Sequence, residues 1–315
     1  MPKDQDFFEK DTGNQQEPPR KKSVSILKNK KVLIAISITC FLIAAVSLFI
    51  IIQYLVSLER SNEEYEQIRS EAISTGAATK DGDSQQSSTQ PVTSTESESS
   101  QVSTQETQEE DPIPSDDDLT RSIDFEYLQS EVNADIYAWI YIPDSKIDYP
   151  VLQHPTDDSR YLNYNVDGSK GYPGCIYTER VNSKDFSDFN TLIYGHNMKN
   201  GSMFHGLHEY ADQTYFEEHP YVYLYLPDKT LKYQIFAAYQ YDDRHIMYSF
   251  DFTSEAVKKA YLKNIFETRQ INAVVDKEVA VTWEDSIITM STCVSGTDYR
   301  YLVQAVLLEE LDINE

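Results

Sequence analysis

Cysteine is scarce: the 315 residues hold three, Cys40, Cys175 and Cys293. So few cysteines exclude a disulfide-dense scaffold. Cys40 sits in an apolar run, which leaves Cys175 and Cys293 either to pair with each other or to stay free; a free thiol on an exported protein is a candidate for reactivity. Cations are few as well, with 27 Lys and Arg against 52 Asp and Glu and a formal net charge of −25. That balance argues against nucleic acid as a partner, because phosphate binding needs clustered Lys and Arg. The acidity reads as solubility. Closely spaced metal ligands are also missing: His154, His205, His208, His219 and His245 fall in loop-like or polar surroundings and read as surface residues. No metal and no cofactor is expected.

Between about Ser70 and Asp118 large apolar side chains nearly vanish, as in "SQQSSTQPVTSTESESSQVSTQETQEEDPIPSDDD". Such a segment cannot bury enough surface to offset its ordering entropy, so residues 53–118 are expected to form a disordered extracellular stalk. The preceding "SLERSNEEYEQIRSEA" has helix-forming residues and reads as a brief extension of the helix before it.

Charge is absent from Val32 to Ile52, "VLIAISITCFLIAAVSLFIII". About twenty residues at 1.5 Å rise span a ~30 Å hydrocarbon core, so residues 32–52 are expected to cross a membrane. A cleaved signal peptide is the competing reading, but Phe49, Ile50, Ile51 and Ile52 stand where small residues would mark a cleavage site. Arg20, Lys21, Lys22, Lys28, Lys30 and Lys31 precede the run, and Glu59, Glu63, Glu64 and Glu66 follow it. By the positive-inside rule residues 1–31 are cytoplasmic and the remainder lies outside.

Residues 119–315 are long enough for one core. "SIDFEYLQSEVNADIYAWI" spaces Phe125, Leu128, Val132 and Ile136 as one helix face, with Ser122 or Asp124 as cap. Short β-branched or aromatic runs follow: "AWIYIP", "YPVL", "GCIYTE", "NTLIYGH", "YVYLYLP", "LKYQIFAAYQY", "EVAVTW", "SIITMSTC" and "RYLVQAVLLEEL". About eight strands in this space predict a mainly β domain, a closed barrel or a sandwich. A long amphipathic helix, "TSEAVKKAYLKNIFETRQ", interrupts the late strands, with Val257, Ala260, Tyr261 and Ile265 on its apolar face and Thr253 or Ser254 as cap.

In "SIITMSTC" two-residue alternation puts Ile287, Thr289, Ser291 and Cys293 on one face, a row that turns polar at the strand's end. The short connection "VSGTDY" predicts an antiparallel return that brings Arg300 beside Cys293. An arginine there can lower a thiol's pKa or stabilise an oxyanion, although a free cysteine is also often a small buried hydrophobe. His196 stands at the end of the apolar strand in "NTLIYGHNMKNGSMF", where a glycine-containing loop begins. Cysteine and histidine far apart in sequence make a nucleophile and an acid–base partner only if the fold joins their strand ends.

"YGHNMKNGSMF", "TMSTC" and Arg300 resemble the histidine loop, cysteine strand and arginine of the sortases, cysteine transpeptidases of Gram-positive cell surfaces. The N-terminal helical region, the His-Asn-Met sequence and the late inserted helix resemble class B. The resemblance covers about Ser122 to the end and implies a closed sortase-type β-barrel. It implies Cys293 as nucleophile, His196 as acid and then base, and Arg300 as oxyanion or substrate clamp. Thr292, Ser291 and Leu162 match positions that line the substrate groove.

The implied reaction cleaves a C-terminal sorting signal of Asn-Pro-x-Thr-x type after its threonine, through a thioester. Transfer then goes to an amine of a peptidoglycan precursor or, in pilus-building relatives, to a pilin lysine. Met290 stands where the family has leucine, and the gap from Cys293 to Arg300 is shorter than in some class B members. Two other readings stand beside it: a stalked adhesion or sensor domain with an inert thiol, and a cysteine protease that gives its acyl group to water.

Overall fold

The structure is a computed structural model that describes residues 30–80, 116–296 and 298–313. Most of the basic N-terminus and residues 81–115 of the expected stalk lie outside the described residues. The chain divides into two units, 1–55 and 56–315.

In the first unit the described residues belong to the helix Lys30–Lys80, and Leu33 to Leu55 carry an almost unbroken series of exposed apolar side chains. Its sequence is long and apolar enough to cross a membrane. Exposed apolar residues all round a helix are stable in lipid, whose tails replace a protein core.

Residues 53–80, expected as the start of the stalk, belong to the same helix, which runs on through Lys80. Ser61, Tyr65, Ile68 and Ala72 are buried, and the last three join the core of the second unit. Their spacing of four, three and four residues is one face of a helix. Glutamates between them carry the segment's composition, and composition hides a periodic face. Arg69 also reaches Asp148, bonding its carbonyl through Nη2 at 2.9 Å and its carboxylate through Nε at 3.2 Å. Arg121 and the indole N–H of Trp139 donate to the same carboxylate at 2.9 and 2.6 Å. The carbonyl of Asp118 accepts from Tyr225 Oη at 2.7 Å.

Among the described residues nine strands follow: β1 (Ile136–Tyr141), β2 (Asp148–Leu152), β3 (Ile176–Tyr177), β4 (Asn190–Tyr194), β5 (Tyr221–Tyr225), β6 (Lys229–Tyr241), β7 (Val274–Val275), β8 (Ile287–Cys293) and β9 (Arg300–Asp312). All but β7 close a ring in the order β5-β1-β2-β3-β4-β8-β9-β6, with β6 pairing back to β5. Pairs β2–β3 and β4–β8 are parallel and the others antiparallel. Closure removes the exposed sheet edges.

Two expected elements differ. The run "EVAVTW" is not a strand, and the pairing with β6 is made instead by Val274 and Val275. The helix expected to reach Ile136 ends at Val132, because Asn133 is extended and Ile136 already opens β1. Tertiary pairing outweighs local periodicity at both places.

Both faces of β8 are covered. Ile288 and Met290 face the barrel core, while Ile287 faces an outer layer built on the inserted helix Glu255–Phe266, whose Tyr261, Leu262 and Ile265 are buried. Leu262 is buried there and Ala260 exposed, contrary to the expected apolar face. Ser254 is its N-cap residue. A polar network crosses this layer: Thr289 Oγ1 donates to Asn190 Oδ1 at 2.8 Å, and Gln304 Nε2 donates to Thr289 and to Tyr261 Oη. Tyr239 Oη completes it by donating to Gln304 Oε1 at 2.9 Å. Satisfied buried networks of this kind hold a core to one arrangement.

Candidate active site

Three adjacent strands, β4, β8 and β9, deliver His196, Cys293 and Arg300 to one rim of the barrel. Cys293 ends β8, and its directly paired residue in β9 is Arg300. Residues opposite one another in an antiparallel pair share a face. On the other side, β4 runs parallel with Tyr194 paired to Ser291, and the Gly195 N–H bonds the Ser291 carbonyl at 3.1 Å. The same register, carried two residues on, brings His196 level with Cys293. The thiol is exposed, and both it and the buried Cys175 are free, so the two do not pair.

His196 Nε2 lies 2.7 Å from the carbonyl oxygen of Leu162. A carbonyl only accepts, so this nitrogen carries the hydrogen, which leaves Nδ1 as the ring position that can exchange a proton. Tyr172, half exposed, sets its ring against the imidazole with centroids 5.1 Å apart. Gly174 makes the close packing possible: at φ +68° a Cβ there would lie 2.7 Å from the Tyr161 carbonyl and 3.3 Å from His196 Cδ2. The Gly174 carbonyl in turn accepts from Tyr65 Oη of the N-terminal helix at 2.9 Å.

Arg300 Nη1 makes only long contacts to the carbonyls of Asp298 and Tyr299, at 3.3 and 3.4 Å. Among the described residues no carboxylate pairs with it, so its guanidinium keeps donors for an anionic oxygen. Beneath the rim Tyr177 and Tyr194 stack with centroids 5.3 Å apart. Burial, ahead of the fields of Glu179 and neighbouring groups, pushes both phenols well above their ordinary range and keeps them neutral. Tyr177 also feels the fields of Cys293 and Arg300, so both lie within electrostatic reach of it.

The remaining expected contacts divide. Leu162 is 41 % exposed at the rim, whereas Ser291 and Thr292 are only 5 % and 2 % exposed. The two hydroxyls therefore do not line an open groove, because β8 is covered on both faces. Thr292 is paired with Tyr301 and Ser291 with Leu302 across the ladder to β9.

Three histidines read as surface residues instead belong to the site's walls. His208 Nε2 stands 3.1 Å from the Cys293 carbonyl, and His205 Nδ1 2.7 Å from Asn197 Oδ1. Burial, partly opposed by the contact with the Cys293 carbonyl, lowers the pKa of His208. His245 Nε2 meets Glu179 Oε2 at 2.5 Å and Tyr194 Oη at 3.3 Å, tying the loop after β6 to the site's floor. Nothing local in the sequence marks these contacts, which span up to 85 residues.

Residues 140–308 match the sequence profile of the sortase domain, more than half of the chain. The chain belongs to the sortase family. It is 35 % identical over 182 residues to Sortase B of Listeria monocytogenes, covering 56 % of this chain and 72 % of that relative. Sortase B of Staphylococcus aureus is 31 % identical over 190 residues, 59 % of this chain and 75 % of the relative. Among solved structures, sortase B of Bacillus anthracis in complex with AAEK1 aligns at TM-score 0.53 and 30 % identity, covering 60 % of this chain and 85 % of that one. A Staphylococcus aureus sortase B–substrate complex aligns at 0.52 and 28 % identity, over 59 % and 85 % of the two chains. These likenesses place this sortase in class B and make it a cysteine transpeptidase with the family's closed barrel.

Proposed function

We propose that this sortase is anchored by residues 32–52 with its barrel outside the cell, and that Cys293, His196 and Arg300 carry its reaction. The supporting observation is the convergence on adjoining strand ends of an exposed free thiol, a tautomer-set imidazole and an arginine that no carboxylate pairs among the described residues. Cys293 Sγ attacks the threonine carbonyl of an Asn-Pro-x-Thr-x sorting signal on a secreted protein. His196 Nδ1 takes the thiol proton as Sγ attacks, Arg300 stabilises the oxyanion, and His196 gives that proton to the departing amine as the C–N bond breaks. The resulting thioester is opened by an amine of a peptidoglycan precursor, which gives its proton to His196 and releases the thiolate. Leu162 and the exposed Tyr172 border the groove beside His196.

Incubating the full chain in detergent with an Asn-Pro-x-Thr-x peptide and a primary amine is expected to yield a threonine-linked amide. Product formation surviving Cys293→Ala would refute the assignment. Hydrolysis unaffected by added amine would make the chain a protease, and transfer only to a pilin lysine would make the acceptor a protein.

A further inference from the structure

Cys293 stands where the ladder between β4 and β8 runs out. In a parallel ladder the carbonyls of alternate residues face the same neighbour. The Ser291 carbonyl faces β4 and takes the Gly195 N–H at 3.1 Å. Two residues on, the Cys293 carbonyl faces the same side, but β4 has ended at Tyr194. Side chains stand in the place of the next backbone donor: Asn197 Nδ2 at 3.0 Å and His208 Nε2 at 3.1 Å.

The orientation of the amide follows from its other end. Asn197 Oδ1 only accepts, so His205 Nδ1, 2.7 Å away, carries the hydrogen of that bond. That bond turns the Asn197 NH2 toward Cys293. Asn197 Nδ2 also lies 2.9 Å from His208 Nε2 and 3.4 Å from Ser295 Oγ. His208 Nε2 carries the hydrogen it gives the Cys293 carbonyl and so cannot accept from Nδ2, which leaves the two amide hydrogens to the carbonyl and Ser295 Oγ. His208 is in turn held by its ring against Tyr301, with centroids 4.9 Å apart.

On the reading that Cys293 is the nucleophile, we infer that Asn197, oriented by His205 and joined by His208, is a positioning residue that completes the missing rung and fixes the end of β8. An exposed strand end without that rung frays, and a displacement of about 1 Å at a reacting atom can cost 10²-fold in rate.

The test uses the full chain in detergent with Asn197→Asp, His208→Leu, His208→Gln and Cys293→Ala. The readouts are peptide KM, kcat per titrated Cys293, and the rate of Cys293 alkylation by iodoacetamide followed by peptide mass spectrometry. Asn197→Asp keeps the acceptor for His205 and loses the donor. It is expected to lower kcat per site by about tenfold or more and to change the alkylation rate, with KM held within about twofold. His208→Leu is expected to lower kcat by roughly threefold, and His208→Gln, whose Nε2 can still donate, to recover most of the loss. A kcat per site unchanged in Asn197→Asp, or falling only with the folded fraction, overturns the inference while an inactive Cys293→Ala leaves the nucleophile assignment standing. Should Asn197→Asp not fold, the two His208 variants decide, and equal activity in both overturns it. Activity in Cys293→Ala instead overturns the underlying reading.

Discussion

Replacing Gly174 by alanine tests how backbone shape sets the histidine. Gly174 has φ +68°, and its Cβ would lie 2.7 Å from the Tyr161 carbonyl, 3.1 Å from the Leu162 carbonyl and 3.3 Å from His196 Cδ2. The left-handed backbone costs a non-glycine residue about 1–2 kcal/mol, offset by about 0.4–1 kcal/mol because alanine restricts the unfolded chain. Relieving the backbone contacts adds roughly 1–3 kcal/mol of overpacking. Gly168 separates the two effects, since it has φ +79° with nothing within 4 Å of its Cβ. Gly168→Ala is therefore expected to cost about 1 kcal/mol and Gly174→Ala about 2–4 kcal/mol. For a domain of this size that is roughly 2–4 °C in Tm per kcal/mol, read by fluorescence of the fully buried Trp139. Because the Leu162 carbonyl is the partner of His196 Nε2, Gly174→Ala is also expected to lower kcat about tenfold at unchanged peptide KM. Equal stability losses in the two variants would refute the clash. Lost stability with unchanged kcat would refute the link from Gly174 through Leu162 to His196.

Asp148→Asn weakens a carboxylate that receives Arg69, Arg121 and Trp139 and is only 13 % exposed at its side chain. A loss of about 2–3 kcal/mol in urea unfolding is expected, discounted from the fully buried case for partial exposure, and a loss under 0.5 kcal/mol would contradict the tether. His208 has a lowered pKa in the fold, so the unfolded chain binds its proton first as pH falls; stability is complete above the unfolded value near 6.5 and declines below it. His208→Gln is therefore expected to lose less Tm than the parent between pH 7.5 and 5.5, and an equal loss would contradict the burial effect. In the span, fourteen Val, Leu, Ile and Phe residues between Val32 and Ile52 contribute about −0.3 to −0.6 kcal/mol each to insertion, against about +2.5 to +3.5 for an arginine. Leu42→Arg alone is expected to leave the chain in the membrane fraction, while Leu42→Arg with Val46→Arg moves it out; membrane retention of the double variant would count against the anchor.

Much of the barrel could be read along the chain, because strands with β-branched and aromatic residues announce themselves between Pro, Gly and Asp. Strand alternation aimed Cys293 with Ser291 and Thr289, and the short return placed Arg300 opposite Cys293 as found. The buried face of the N-terminal helix was present in Ser61, Tyr65, Ile68 and Ala72 but was diluted by the glutamates between them. The resemblance put Ser291 and Thr292 at the substrate groove, and a strand covered on both faces leaves both side chains buried.

By itself the sequence determined what depends on neighbours in the chain: the apolar span, the β rhythm, the inserted helix, and a cysteine and a histidine each at a strand end. Only the tertiary structure decided what depends on register between distant segments. The parallel pairing of β4 with β8 brings residues of β4 against partners about a hundred positions later, and its register carried two residues on sets His196 level with Cys293. The same pairing ends one rung short of Cys293, which is why Asn197, His205 and His208 matter there. Hydrogen bonds to a carbonyl depend on ångström-scale placement, and no spacing along a chain encodes that placement until the barrel has closed.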